Sequence, residues 1–153
     1  MALYLVQHGK SLPKDRDPDQ GLSDEGIAEA GRIAEVAKNY GVRVSRIVHS
    51  VKTRARQTAE ILAEALQPKD GVHEIQGLKP LDDVAVFAGQ IDENEDLMVV
   101  GHLPFMERLN CLLAIGSVGK RLFKFQNAGI VCMEKDPETG SWHIKWALMP
   151  NIG

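Results

Sequence analysis

Three apolar runs, each broken off by a polar turn carrying histidine or serine, constrain this chain more than any other feature. Residues 2–6 (ALYLV) end in Gln7-His8-Gly9-Lys10-Ser11, residues 46–49 (RIVH) end at Ser50, and residues 96–100 (DLMVV) end in Gly101-His102. Each run has strand length and composition, and helical periodicity fills the gaps between them. Ser23 can cap a helix, with Asp24 and Glu25 in its first turn complementing the helix dipole. Ile27, Ala30, Ile33, Ala34, Ala37 and Tyr40 then recur at helical spacing, with Tyr40 as a helix-end core residue and Gly41 as the stop. A second helix spans 53–66, with Thr58, Ile61, Leu62 and Ala65 on one face.

Further on, 73–78 reads as a short strand and 82–89 as a short helix. Pro104 can start a helix running through Leu113. Residues 130–134 and 142–148 read as paired strands, because Asp136-Pro137-Glu138-Thr139-Gly140 between them supplies turn chemistry. Trp142 and Trp146 fall on one face of the last strand at period two. Alternating strands and helices imply an α/β fold: three layers, a mostly parallel central sheet flanked by helices, and a C-terminal antiparallel hairpin. The 153 residues fit one domain, 1–153. In such sheets ligands bind beyond the carboxyl ends of the strands, so His8, the 50–54 segment and His102 are predicted to meet on one rim.

Composition narrows the function classes. With 18 basic and 21 acidic residues the net charge is -3, so no global basic field attracts nucleic acid and an anion site must be made locally. No apolar stretch reaches the ~20 residues needed to span a bilayer, and the N-terminal run is too short for a signal peptide. A cytoplasmic location is expected. Cys111 and Cys132 suit that compartment as buried thiols and match no metal or redox spacing.

The strand ends carry a specific chemistry. A neutral imidazole such as His8 is a competent nucleophile toward phosphorus, and Gly9 after it lets backbone approach an anion. Phosphoryl transfer needs positive charge and fixed donors on the equatorial oxygens, which the planar fork of Arg54 supplies at the start of a helix. A protonated His102 would add a second charged donor. Taken singly, each has a plainer reading: a strand-end histidine, a solvated Lys52-Arg54-Arg56 face, a histidine bonded to backbone at a helix entry.

Taken together, these motifs resemble the histidine phosphatase superfamily, also called phosphoglycerate-mutase-like, and within it the short SixA-type phosphohistidine phosphatases. The matching residues are Leu5-Val6-Gln7-His8-Gly9, Leu22-Ser23-Asp24-Glu25-Gly26, Ser50 through Arg54-Ala55 to Gln57-Thr58, Leu78-Lys79-Pro80, and Val99 through His102 to Pro104. The resemblance implies His8 as nucleophile, Arg54 as phosphate ligand, His102 as phosphate ligand and charge stabiliser, and no metal or cofactor. It also puts Asn127 near the phosphate. The family pattern is Arg-His-Gly, and this chain has Gln7-His8-Gly9, so a neutral amide that can still donate a hydrogen bond stands where a charge is usual. Lys10 or Lys14 in the adjoining loop could restore that charge. For the general acid, Asp82 and Asp83 are candidates by position, and Asp83 is chosen.

The expected function is hydrolysis of phosphohistidine on a protein, such as one bearing a phosphohistidine domain, through a phospho-His8 intermediate. No nucleic acid or membrane partner is expected. Two alternatives are a phosphatase for small phosphate esters and a non-catalytic phosphate-binding regulatory module.

Overall fold

A computed structural model describes residues 1–152. Its elements in chain order are β1 (Ala2–Gln7), α1 (Asp24–Asn39), β2 (Arg46–His49), α2 (Thr53–Leu66), β3 (Val72–Glu74), α3 (Val84–Ala88), β4 (Leu97–Gly101), α4 (Phe105–Ile115), β5 (Ile130–Lys135) and β6 (Trp142–Leu148). The six strands form one sheet in the order β3-β2-β4-β1-β5-β6. The first four of that order run parallel, and β5 joins β1 antiparallel before turning back into β6. The expected α/β sheet with an antiparallel C-terminal pair is what the chain forms.

Strand alternation divides the core in two. Leu3, Leu5, Leu97, Val99, Val131 and Met133 point to one side of the sheet, where Phe87, Phe105, Met106 and Leu109 of α3 and α4 cover them. Tyr4, Val6, Met98, Val100, Ile130 and Cys132 point to the other, beneath Ile33, Ala34 and Ala37 of α1 and Ala55, Ala59 and Leu62 of α2. Both faces of the central strands are therefore dry, which is why they read as unbroken apolar runs.

The helix ends follow their sequence signals. Ser23 caps α1, its hydroxyl accepting from the Gly26 N–H, and the chain leaves the helix through Gly41 at φ 75°. The predicted 73–78 strand is shorter in the fold, pairing only over Val72–Glu74, and 82–89 narrows to the five-residue α3.

Three expectations of side-chain placement change. Tyr40 is 84% exposed, because α1 ends there and the chain turns away. Ile27 is also exposed, at 49%, and Gly26 and Glu29 take the buried positions of the first two turns instead. Trp142 and Trp146 do not share a face. An irregularity where Cys132 faces Trp146 and Met133 faces Ile144 breaks the period, sending Trp142 to the α4 side and Trp146 to the α1 side.

Candidate active site

β1 and β4 lie side by side in register, Gln7 opposite Gly101, so the next residue of each strand, His8 and His102, emerges at the same edge. The ring centroids are 5.1 Å apart, tilted by 57°. β2 lies on the other side of β4 and delivers Ser50 and the head of α2. Three segments distant in sequence thus converge at the carboxyl ends of three adjacent parallel strands.

His8 is held in one ring state. Its Nδ1 lies 2.6 Å from the Gly9 carbonyl, which can only accept, so Nδ1 carries the hydrogen. The Arg54 Nε–H donates to His8 Nε2 at 3.2 Å, which requires a lone pair there. A neutral imidazole with a bare Nε2 satisfies both bonds. Burial lowers the His8 pKa to about 4, with the Arg54 charge acting in the same direction and the Gly9 hydrogen bond opposing it.

The main chain around His8 is pinned on every side. Its N–H donates to Gly101 O at 2.9 Å, and its carbonyl accepts from Asn127 Nδ2 at 2.9 Å. Ala128, in the left-handed region at φ 65°, donates its N–H to Gln7 O. The Gly9 N–H donates to Thr58 Oγ1, whose hydroxyl in turn donates to Arg54 O. Thr58 is fully buried, so one hydroxyl ties the nucleophile's loop to the turn of α2 that carries the guanidinium. Thr58→Val is expected to leave the Gly9 N–H without an acceptor, at a cost of about 1–3 kcal/mol read from urea unfolding.

His102 is 1% exposed, and its Nε2 lies 2.6 Å from Ser50 Oγ. Burial lowers its pKa to about 3, and the charges of Arg54 and Lys52, joined by His8 once that ring is protonated, push the same way. The resting ring is therefore neutral. Its Nδ1 is buried without a partner, as is Gln7 Oε1 next to it in the sheet register.

These two pKa shifts predict an acid-sensitive fold. Unfolded histidines take up a proton near ~6.5, whereas His8 and His102 resist until about 4 and about 3. Between those limits the unfolded chain binds more protons, so stability falls as pH drops. The urea midpoint is expected to decline from about pH 6.5 to about pH 4, and less steeply in His102→Gln.

The remaining candidates lie as follows. Asn127 reaches the site through the main chain of His8. Lys10, expected to replace the missing charge, directs its ammonium to Glu25 at 2.7 Å and Glu29 at 3.5 Å, away from the rim. Lys14 is exposed on the loop beyond. Asp83 caps α3, its Oδ1 accepting from the Ala85 N–H, and lines a groove with Gln76, Lys79, Asp82 and Phe87. Asp82 Oδ2 accepts from the Lys79 N–H. The head of α2 has no side-chain cap, and with the Ala55 N–H already donating to Lys52 O, the N–H groups of Thr53 and Arg54 are left for an anion. Among the described residues, no three His, Cys, Asp or Glu side chains group as metal ligands, and no helix is long and apolar enough to cross a membrane.

Comparison with known proteins places the chain in a family. A family model described as histidine phosphatase superfamily (branch 1) matches residues 3–86, more than half of the 153-residue chain. The chain is 33% identical over 142 residues to an uncharacterized protein of Picosynechococcus sp., covering 86% of this chain and 83% of that one. It is 25% identical over 156 residues to the phosphohistidine phosphatase SixA of Escherichia coli, covering 98% and 94% of the two chains. Superposed on the structure of the protein histidine phosphatase SixA complexed with tungstate, it gives a TM-score of 0.82 at 25% identity, over 98% of this chain and 97% of that one.

Proposed function

Since the chain belongs to the histidine phosphatase superfamily (branch 1) and is a phosphatase, we propose that its substrate is phosphohistidine on a protein and that His8 is the nucleophile. The observation that carries this reading is the single state of the His8 ring: Nδ1 committed to Gly9 O, Nε2 bare and facing Arg54.

The reaction then runs in two displacements. The Nε2 lone pair attacks phosphorus, a P–Nε2 bond forms, and the bond to the leaving group breaks. Water next attacks the phospho-His8, releasing inorganic phosphate and returning the electron pair to Nε2. The Arg54 guanidinium, which bonds Nε2 in the empty site, moves its donors onto the equatorial oxygens as the phosphoryl group takes that place. The uncapped head of α2 adds neutral donors, and the side-chain NH₂ of Gln7 can add another. Asn127 acts by fixing the carbonyl of His8. One domain, residues 1–153, carries every group this scheme uses.

Three features support the substrate. SixA of Escherichia coli, a phosphohistidine phosphatase by name, aligns over 98% of the chain. His8 is partly exposed at the carboxyl end of β1, where a protein side chain can reach it. Asp83, the candidate proton donor, is engaged as a helix cap, and an imidazole leaving group needs less acid than an alkoxide. A cytoplasmic location accords with Cys111 and Cys132 both being free and buried. Steady-state assays on a phosphohistidine-bearing protein and on a panel of phosphate esters test the proposal. Higher kcat/KM on the phosphoprotein is expected, and higher kcat/KM on the esters would overturn it.

A further inference from the structure

The buried pair Ser50–His102 carries more information than proximity. A neutral imidazole has one N–H, and the bond made by one nitrogen decides which nitrogen bears it. Ser50 Oγ lies 2.6 Å from His102 Nε2 and also accepts the Lys52 N–H at 3.3 Å. Nδ1, the other ring nitrogen, is buried and unpartnered.

Only two arrangements are open to a neutral ring. In the first, Nε2–H donates to Ser50. The oxygen then receives two donors, its own buried hydrogen has no acceptor, and Nδ1 presents a lone pair that repels an anion. In the second, the Ser50 O–H donates to Nε2 while its oxygen accepts from Lys52 N–H. Every hydrogen-bonding group of Ser50 is then used, and Nδ1 bears the hydrogen. Buried polar groups settle into the arrangement that leaves fewest of them unpaired.

Building on the phosphatase reading above, we propose that Ser50 is a positioning residue that holds neutral His102 as the Nδ1–H tautomer, making the ring a hydrogen-bond donor to a phosphoryl oxygen. The anion pairs the one nitrogen that the fold leaves without a partner. No protonation of the ring is needed, so its low affinity for a proton does not remove it from the phosphate site. Neighbouring cations that discourage a charged His102 do not discourage a neutral N–H.

Long-range proton–nitrogen correlation spectra of ¹⁵N-labelled protein near neutral pH read the tautomer directly, with His102→Gln used to assign the signal. Wild type is expected to show a protonated Nδ1 and a bare Nε2, and the Nδ1 signal should move on titration with inorganic phosphate. Ser50→Ala should shift the ring toward the Nε2–H form and weaken phosphate binding about tenfold, the scale of one lost hydrogen bond. Ser50→Thr should restore both. An Nε2–H ring in wild type overturns the proposal, as does an Nδ1 signal unmoved by phosphate. So does a Ser50→Ala spectrum and affinity matching wild type. If Ser50→Ala does not fold, the wild-type spectrum and titration decide. Failure of the phosphatase reading looks different: phosphate moves an Nδ1–H signal, yet no phosphoryl substrate is turned over.

Discussion

His8→Ala is expected to abolish acid-labile incorporation of ³²P from a phosphoryl donor and to lower kcat by at least about 10⁴-fold, the scale on which enzymes lose rate when a covalent nucleophile is removed. The reasoning runs through the ring's two bonds. Nδ1 is committed to the Gly9 carbonyl and Nε2 receives Arg54 Nε–H, so the attacking nitrogen is already selected before substrate arrives. Burial keeps the ring unprotonated down to about pH 4, so nearly every molecule is competent at neutral pH. His102 cannot substitute, since its Nε2 is held by Ser50 at 2.6 Å and the ring is 1% exposed. Label that survived in His8→Ala would place the phosphoryl acceptor elsewhere. Absence of label and of turnover in wild type, with every donor tried, would favour a binding module over an enzyme. The variant should fold, because His8 is only half-buried and its main-chain bonds do not involve the ring.

Gly26→Ala is expected to be the most damaging single methyl outside the strands. In an ordinary helix the change stabilises by about 1 kcal/mol through propensity. Here the first turn of α1 is packed against the loop after β1. The Ser23 N–H and hydroxyl both donate to Lys10 O, and an isolated bridge pairs Ser11 with Leu22. A methyl at Gly26 would collide with that same Lys10 carbonyl oxygen and lie 3.0 Å from the carbonyl carbon and the amide nitrogen of Lys10. Every atom it meets is backbone, so nothing can rotate away. The clash outweighs the propensity gain, with a net loss of about 3 kcal/mol and a fall in Tm of about 6–12 °C. Because Lys10 is two residues from His8, the loop shift should also reduce turnover of the folded fraction. A thermal melt within 2 °C or so of wild type would show that the loop yields freely, contrary to this packing.

What could be read from the residues and what could not divides along contact range. Ser23, Gly41 and the strand-ending turns at His8, Ser50 and His102 act through neighbours in the chain, so local chemistry announced them. The rule that ligands gather beyond strand carboxyl ends then brings His8, Arg54 and His102 together on one rim. The supporting bonds were hidden because their partners are remote: Thr58 binds Gly9 from 49 positions away, and Asn127 binds His8 from 119. Thr58 was visible as part of a motif and as a helix-face residue, but a hydroxyl at a helical position does not say which N–H it meets. Tyr40 misled because periodicity continues to the last turn whether or not the core does. The two tryptophans misled because one irregularity in the ladder inverts everything beyond it.

The adjacency of β1 and β4 has a lasting effect on how the site can fail. Neighbouring strands hang about 4.8 Å apart by the main-chain ladder, and the two imidazoles, one residue past the paired Gln7 and Gly101, stand 5.1 Å apart. Their separation is written by peptide geometry and owes nothing to the fit of apolar side chains above or below. Truncating Ile33 or Leu109 would thin the population of intact molecules while leaving each survivor as fast as before. Mutational drift in the interior of this protein therefore erodes abundance long before it erodes chemistry.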